Sequence, residues 1–232
     1  MPPETDELTL GMDFVFMLTR ADKTIRDGLA VLDDIKGLGL QHLGFKDVGV
    51  EPAQLVELHR AMKAAGATTY LEVVSTTPEQ ALQSARVGRE LEVDYLLGGT
   101  QVDEIMKIVT GSKTKYMPFP GRPFGHPTSL GGTVADVEAD CRRFAEKGTA
   151  GVDLLAYRAT EADPLDLVRA ARKGTPGTLM VAGAVKTPEQ IKALKAAGAD
   201  AFTIGSAVFD GSFVPNVGSL RSQLRAVLDA CG

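Results

Sequence analysis

One unit recurs along this chain of 232 residues. A helical stretch closes at glycine, one to three residues follow, and a short β-rich run begins. GLGLQHLGFKD (37–47), AAGATTYLEVVS (64–75), EKGTAGVDLLAYR (146–158) and AAGADAFTIGSA (196–207) are copies of it. Glycine just past a helix is the left-handed cap that helix ends favour. Helices and strands that alternate at this rhythm form βαβ units and a parallel sheet. Strand-like runs lie near 12–18, 42–45, 69–74, 95–97, 115–118, 152–156, 179–182 and 201–204. Between them, stretches such as AQLVELHRAMKAAG and PEQIKALKAAG repeat apolar residues at three and four. Pro52, Pro78, Pro164 and Pro188 stand where helices open, and Thr187 in KTPEQ is a capping residue. Eight strands with intervening helices predict an α/β fold, a (β/α)8 TIM barrel forming a single domain over 1–232. An open doubly wound sheet ordinarily has fewer strands. Residues 1–10, polar and acidic, read as a flexible N-terminal arm.

Composition narrows the functions. Hydrophobic residues make up 44 % of the chain, enough for one sizeable core. Lys and Arg number 25 against 30 Asp and Glu, a net charge of −5. Without basic runs, this balance argues against nucleic acid and anionic membrane surfaces. No apolar run approaches the roughly 18 residues of a membrane span, and the N-terminus lacks the pattern of a signal peptide. Cys141 and Cys231 have no metal spacing and read as reduced thiols of a cytoplasmic protein. Three scattered histidines make no metal cluster, so neither metal nor cofactor is expected. Barrels of this kind often form homo-oligomers, but no interface signature is visible.

Charge breaks the strand pattern at HLGFKD (42–47). Leu43 and Phe45 suit the helix-facing side, so His42, Gly44 and Lys46 point into the lumen. Lys46 comes last and therefore lies at the C-terminal mouth, where barrel active sites sit. In YLEVVS, Leu71 and Val73 face out, so Glu72 faces in on the same layer. A structural ion pair plugging the lumen is the plain reading. Acid–base chemistry by Lys46 and Glu72 is the functional one: a desolvated lysine can donate or take a proton or form a Schiff base. Glu72 would take a proton next to a carbonyl while a cation steadies the enolate. Asp47 would orient Lys46 or face solvent.

The interval from Pro118 to Val152 is longer than the others, and its extra piece, PFPGRPFGHPTSLGGT, leaves the mouth of the barrel. Such loops concentrate function. Arg122 and His126 on it are candidates to close over a ligand, His126 as a catalyst and Arg122 as a substrate contact. Arg20 after strand one, Lys115 on strand five and Arg158 at the end of strand six are further substrate-binding candidates. Gly98, Gly99 and Thr100 would let backbone approach the substrate.

The last third closes strand seven at Ala182-Gly183, continues through a PEQI-type helix and AGAD, and closes strand eight at Ile204-Gly205-Ser206. Here, over 178–211, the chain resembles the ribulose-phosphate-binding barrels, a superfamily of isomerases, epimerases and decarboxylases. The resemblance implies that Gly183, Gly205 and Ser206 bind phosphate at the loops after strands seven and eight, with Lys186 adding charge. Tight turns alone are the other account of these glycines. Departures are also visible: strand one lacks an acid near its end, strand three lacks the Asp-Lys-Asp pattern of the keto-gulonate-phosphate decarboxylases, and the epimerases' metal-binding histidines have no counterpart. The sequence thus predicts a metal-independent enzyme acting on a small phosphorylated, sugar-like substrate by proton transfer next to a carbonyl, as an isomerase or epimerase. Alternatives are a carbon–carbon lyase (aldolase or decarboxylase) using Lys46, and a non-catalytic sensor of a phosphorylated metabolite.

Overall fold

A computed structural model describes residues 11–215 and 218–232; the predicted N-terminal arm, residues 1–10, lies outside them. Eight strands, β1 (Asp13–Met17), β2 (His42–Lys46), β3 (Thr68–Val73), β4 (Tyr95–Gly98), β5 (Lys115–Met117), β6 (Gly151–Leu154), β7 (Thr178–Val181) and β8 (Ala201–Ile204), form one parallel sheet. Its order is β6-β7-β8-β1-β2-β3-β4-β5. The seam between β5 and β6 is bridged by backbone hydrogen bonds, Ala150 N–H to Tyr116 O and Asp153 N–H to Pro118 O, both 2.9 Å. The result is a nearly closed (β/α)8 barrel. Around it run α1 (Gly28–Asp34), α2 (Pro52–Ala64), α3 (Pro78–Leu91), α4 (Val102–Val109), α5 (Val134–Glu146), α6 (Pro164–Gly174), α7 (Pro188–Ala197), α8 (Ser206–Phe209) and α9 (Leu220–Cys231). Among the described residues no helix is long and apolar enough to cross a membrane.

Local chemistry explains the helix starts. Pro52, Pro78, Pro164 and Pro188 each occupy a first helical position, where their missing N–H costs nothing. Thr77 and Thr187 accept from the N–H groups of Gln80 and Gln190, the usual N-cap bond. Strand alternation then sorts the core into two layers. Phe16, Leu43, Phe45, Leu71, Val73, Leu96, Leu154 and Phe202 face the helices. Val15, Met17, Tyr70, Leu97, Met117, Met180 and Ala201 pack in the lumen. Gly44 is needed in that lumen layer: a Cβ there would collide with the Met17 sulfur. Above this apolar plug, Lys46 of β2 stands in register with Glu72 of β3.

Two hairpins at the mouth complete the frame. The long connection after β5 folds as an antiparallel pair, Arg122–Phe124 with Ser129–Gly131. A second, tighter pair follows β1 at once, Thr19–Arg20 with Lys23–Thr24. Strand six ends earlier than its sequence suggests, and Ala156–Arg158 turn as a 3-10 helix.

Candidate active site

The tight hairpin after β1 sets the geometry. Its two central residues, Ala21 (φ 45°) and Asp22 (φ 65°), are both left-handed, as the two-residue turn between twisted strands requires. Aspartate tolerates that conformation better than most residues. The hairpin is bolted to β2: Thr24 Oγ1 accepts from Lys46 N–H and donates to Lys46 O, both at 2.8 Å. The Asp22 carboxylate is thereby turned back over the lumen.

There it meets Lys46. The Lys46 ammonium lies 2.6 Å from Asp22 Oδ1 and 3.0 Å from Glu72 Oε2. Arg158 Nη2 donates to the same Asp22 oxygen at 2.9 Å. Thr128, returned to the mouth by the long hairpin, donates from N–H (2.9 Å) and hydroxyl (3.3 Å) to Asp22 Oδ2. Its carbonyl accepts from Arg158 Nη1 at 2.9 Å. Lys46, Glu72 and Asp22 are only 5 %, 2 % and 4 % exposed. Buried charge persists only when paired and hydrogen-bonded, and this network pairs two cations with two carboxylates.

The protonation states follow. Burial opposes charge on Lys46, but Glu72 and then Asp22 outweigh it and raise its pKa above the ordinary lysine value. Lys46 is held as an ammonium. Burial likewise raises the Asp22 pKa, yet Lys46 and Arg158 together bring it well below the usual carboxylate range. A third acid behaves oppositely. Asp153 of β6 is fully buried, and both its carboxyl oxygens lack a hydrogen-bond partner among the described residues. Burial, reinforced by the charge of Glu72, pushes its pKa well above the usual range. Asp153 is a neutral acid beside an ionic cluster.

These groups open on a cavity of about 420 Å³, within the range of small-molecule sites. Asp22, Lys46, Glu72 and Arg158 line it together with Gly183, Lys186, Gly205 and Ser206. Thr203, in register with Val15 of β1, also lines it. The glycines have packing reasons of their own. A Cβ on Gly183 (φ 74°) would strike Arg158, and one on Gly205 would come within 2.5 Å of Thr19 Oγ1. Ser206 Oγ accepts from Ala21 N–H at 3.2 Å, joining the loop after β8 to the Asp22 hairpin. Among the described residues, no three of His, Cys, Asp and Glu are grouped to hold a metal ion.

Seven of the residues singled out in the sequence therefore line one cavity: Lys46, Glu72, Arg158, Gly183, Lys186, Gly205 and Ser206. Five do not. Asp47 faces away from Lys46; its carboxylate accepts from Val74 N–H at 2.9 Å and from the hydroxyls of Ser75 and Ser84, holding the loop before α3. Lys115 opens β5 at the opposite end of the barrel, exposed, with Nζ 3.4 Å from the Tyr95 hydroxyl. Arg122 is a surface residue paired with Glu161 at 3.2 Å. Arg20 packs over the Phe209 ring and donates to Phe209 O at 3.1 Å. Arg20 and His126 line a separate groove outside the Asp22 hairpin. Gly98, Gly99 and Thr100 do not line this cavity either: Phe119 and Val73 O pack beside Gly98, and Gly99 and Thr100 line a separate small pocket. Sequence reasoning missed Asp22, Thr128 and Asp153. Only Asp153 carried a visible signal, a charge between outward-facing Val152 and Leu154.

No protein-family model matches the chain, and no curated protein does. Solved structures share its fold. Orotidine 5'-phosphate decarboxylase from Pyrococcus horikoshii OT3 superposes with a TM-score of 0.63 at 17 % identity, over 94 % of this chain and 98 % of that one. A mutant tryptophan synthase alpha-subunit from Pyrococcus furiosus gives 0.62 at 17 % identity, over 95 % and 100 %. A mutant FabK from Thermotoga maritima gives 0.58 at 15 % identity, over 83 % of this chain and 60 % of that one, so this chain spans less than two thirds of FabK. The likeness, at 15–17 % identity, is one of fold, the (β/α)8 barrel.

Proposed function

We propose that this chain is an enzyme acting on a small phosphorylated, sugar-like substrate by proton transfer next to a carbonyl. One observation carries the reading: Lys46 and Glu72, 3.0 Å apart, share a cavity with the loops after β7 and β8. Those loops, with Lys186 and Ser206, hold the phosphate. Glu72 takes the proton α to the carbonyl, and the Lys46 ammonium stabilises the enolate oxygen. An ammonium has three donors; Asp22 and Glu72 occupy two, leaving one for the ligand. Arg158 and Thr128 hold Asp22, and Glu72 and Asp22 together keep Lys46 cationic. A preorganised donor of this kind is worth about 10²–10³ in rate.

Carbon–carbon cleavage beside the same carbonyl passes through the same enolate and uses the same cation, so a lyase is the second reading. The superposition with a decarboxylase accords with it. A Schiff base does not accord with Lys46, because both carboxylates favour its protonated form. The test is incubation with keto- and aldo-sugar phosphates in D2O. Deuterium is expected at the carbon next to the carbonyl with wild type and not with Glu72→Gln; borohydride should leave the protein mass unchanged. An adduct on Lys46 would overturn the account of its charge. Ligand-dependent thermal stabilisation with neither exchange nor cleavage would make the barrel a sensor.

Ser206→Asp tests the phosphate side separately. Aspartate can still accept from Ala21 N–H but repels a phosphate. The melting temperature without ligand should be nearly unchanged, and its rise with sugar phosphates should vanish. An undiminished rise would place the phosphate elsewhere.

A further inference from the structure

The hairpin that carries Asp22 has a second face. Thr19 and Asp22 line the catalytic cavity, whereas Arg20 and Lys23 line a groove of about 690 Å³ on the outer side. Arg26 and His126 also reach that groove, with Asp27 as its one acid among the described residues. Arg20 and Lys23 are direct cross-strand partners, and like charges placed so are destabilising. Elsewhere on this acidic chain some surface cations pair with acids, as in Lys63–Asp94, Arg143–Asp140 and Arg172–Asp200, and the others among the described residues are not gathered in a groove of this kind with cross-strand register. Among the described residues the side chains of Lys23, Arg26 and His126 have no ion pair or hydrogen bond. A protein of net charge −5 thus gathers Arg20, Lys23 and Arg26 in one groove against a single acid, Asp27, among the described residues. Its remaining polar lining, including Thr76 and Gln80, offers hydrogen-bond donors suited to an anion.

We propose that this groove binds the phosphate group of a small ligand, at a site separate from the catalytic cavity. Occupancy would be felt at Lys46. Thr24 lines the groove and is bonded to Lys46 at both backbone N–H and O. Gly49, packed directly against Thr24, leaves no slack, since a Cβ there would lie 2.5 Å from Thr24 O. The groove and the cavity thus share a partition one hairpin thick. The phosphate could belong to a second molecule or to the far end of a bisphosphorylated substrate, and the experiment separates the two.

The experiment is calorimetric titration of the whole chain with inorganic pyrophosphate and with a sugar bisphosphate, using wild type, Ser206→Asp, and Lys23→Glu with Arg26→Glu. All altered side chains are at the surface or the cavity rim, and circular dichroism checks folding. Ser206→Asp is expected to retain a pyrophosphate site, and adding Lys23→Glu and Arg26→Glu should weaken it at least tenfold. If the double variant alone binds pyrophosphate as tightly, and in the same number, as wild type, the proposal fails. If Ser206→Asp abolishes all binding, it also fails. Loss of a sole wild-type site in the double variant would support the groove and count against the cavity as the phosphate site, so the two readings fail separately. One bisphosphate per chain, weakened by both sets of changes, would assign both sites to one molecule; independent effects would assign the groove to a second molecule.

Discussion

Lys46→Met is expected to abolish turnover and to destabilise the fold by about 3–5 kcal/mol, the cost of leaving buried charge without its partner. Methionine fills similar space but leaves Glu72 without the ammonium at 3.0 Å and Asp22 with Arg158 as its remaining cation. Equilibrium urea unfolding measures the loss. Adding Glu72→Gln should recover much of the stability, since removing both members of a buried pair is far cheaper than removing one. Activity should not return. If Lys46→Met unfolds at the wild-type urea concentration, the pair contributes nothing to folding. If the double variant is as unstable as the single one, the two residues are not coupled as their geometry demands.

Asp153→Asn should change how stability depends on pH. The folded carboxyl has a raised pKa, whereas in the unfolded chain it titrates near the ordinary value, about 4. Above that pH the unfolded chain releases a proton that the folded chain keeps. Folding then binds a proton, and stability falls with rising pH by up to about 1.4 kcal/mol per unit until the folded pKa is passed. Asparagine keeps the shape and cannot ionise. The variant should match wild type in acid and gain on it steadily from about pH 4 upward. Parallel stability curves for the two proteins would show that Asp153 is ionised. Asp22 works in the other direction: its folded pKa is depressed, so its contribution is complete above the unfolded value and is lost as pH falls through the folded one.

The barrel was legible because its signals are local and repeated. Helix-opening prolines stand at α2, α3, α6 and α7, threonines cap α3, α5 and α7, and the eight strands lie where the β-rich runs stand. Lys46 and Glu72 were legible because alternation turns both charges inward on one layer at the mouth of the barrel. Asp153 obeys the same rule and was passed over in a strand read only for its apolar residues. Asp22 could not be read that way. It lies five positions beyond the end of β1, and the turn that returns it uses Ala21 and Asp22 rather than the glycine pairs that mark such turns. Asp47 was misplaced by confusing adjacency in sequence with adjacency in space: alternation sends it to the opposite face from Lys46. His126, Arg20 and Arg122 sit on loops, where no period fixes the direction of a side chain, and Lys115 sits at the wrong end of a three-residue strand.

The left-handed backbone at Asp22 bears on how such a barrel could change over descent. Few side chains other than glycine sit easily at a φ of 65°, and asparagine is among them. Asparagine here would spare the turn, the hairpin and every barrel strand while removing the charge 2.6 Å from Lys46. The conformation that delivers the acid thus also favours its uncharged replacement. If the proposed function holds, a single conservative step at this position would weaken the charge network around Lys46, and the loops after β7 and β8 need not change.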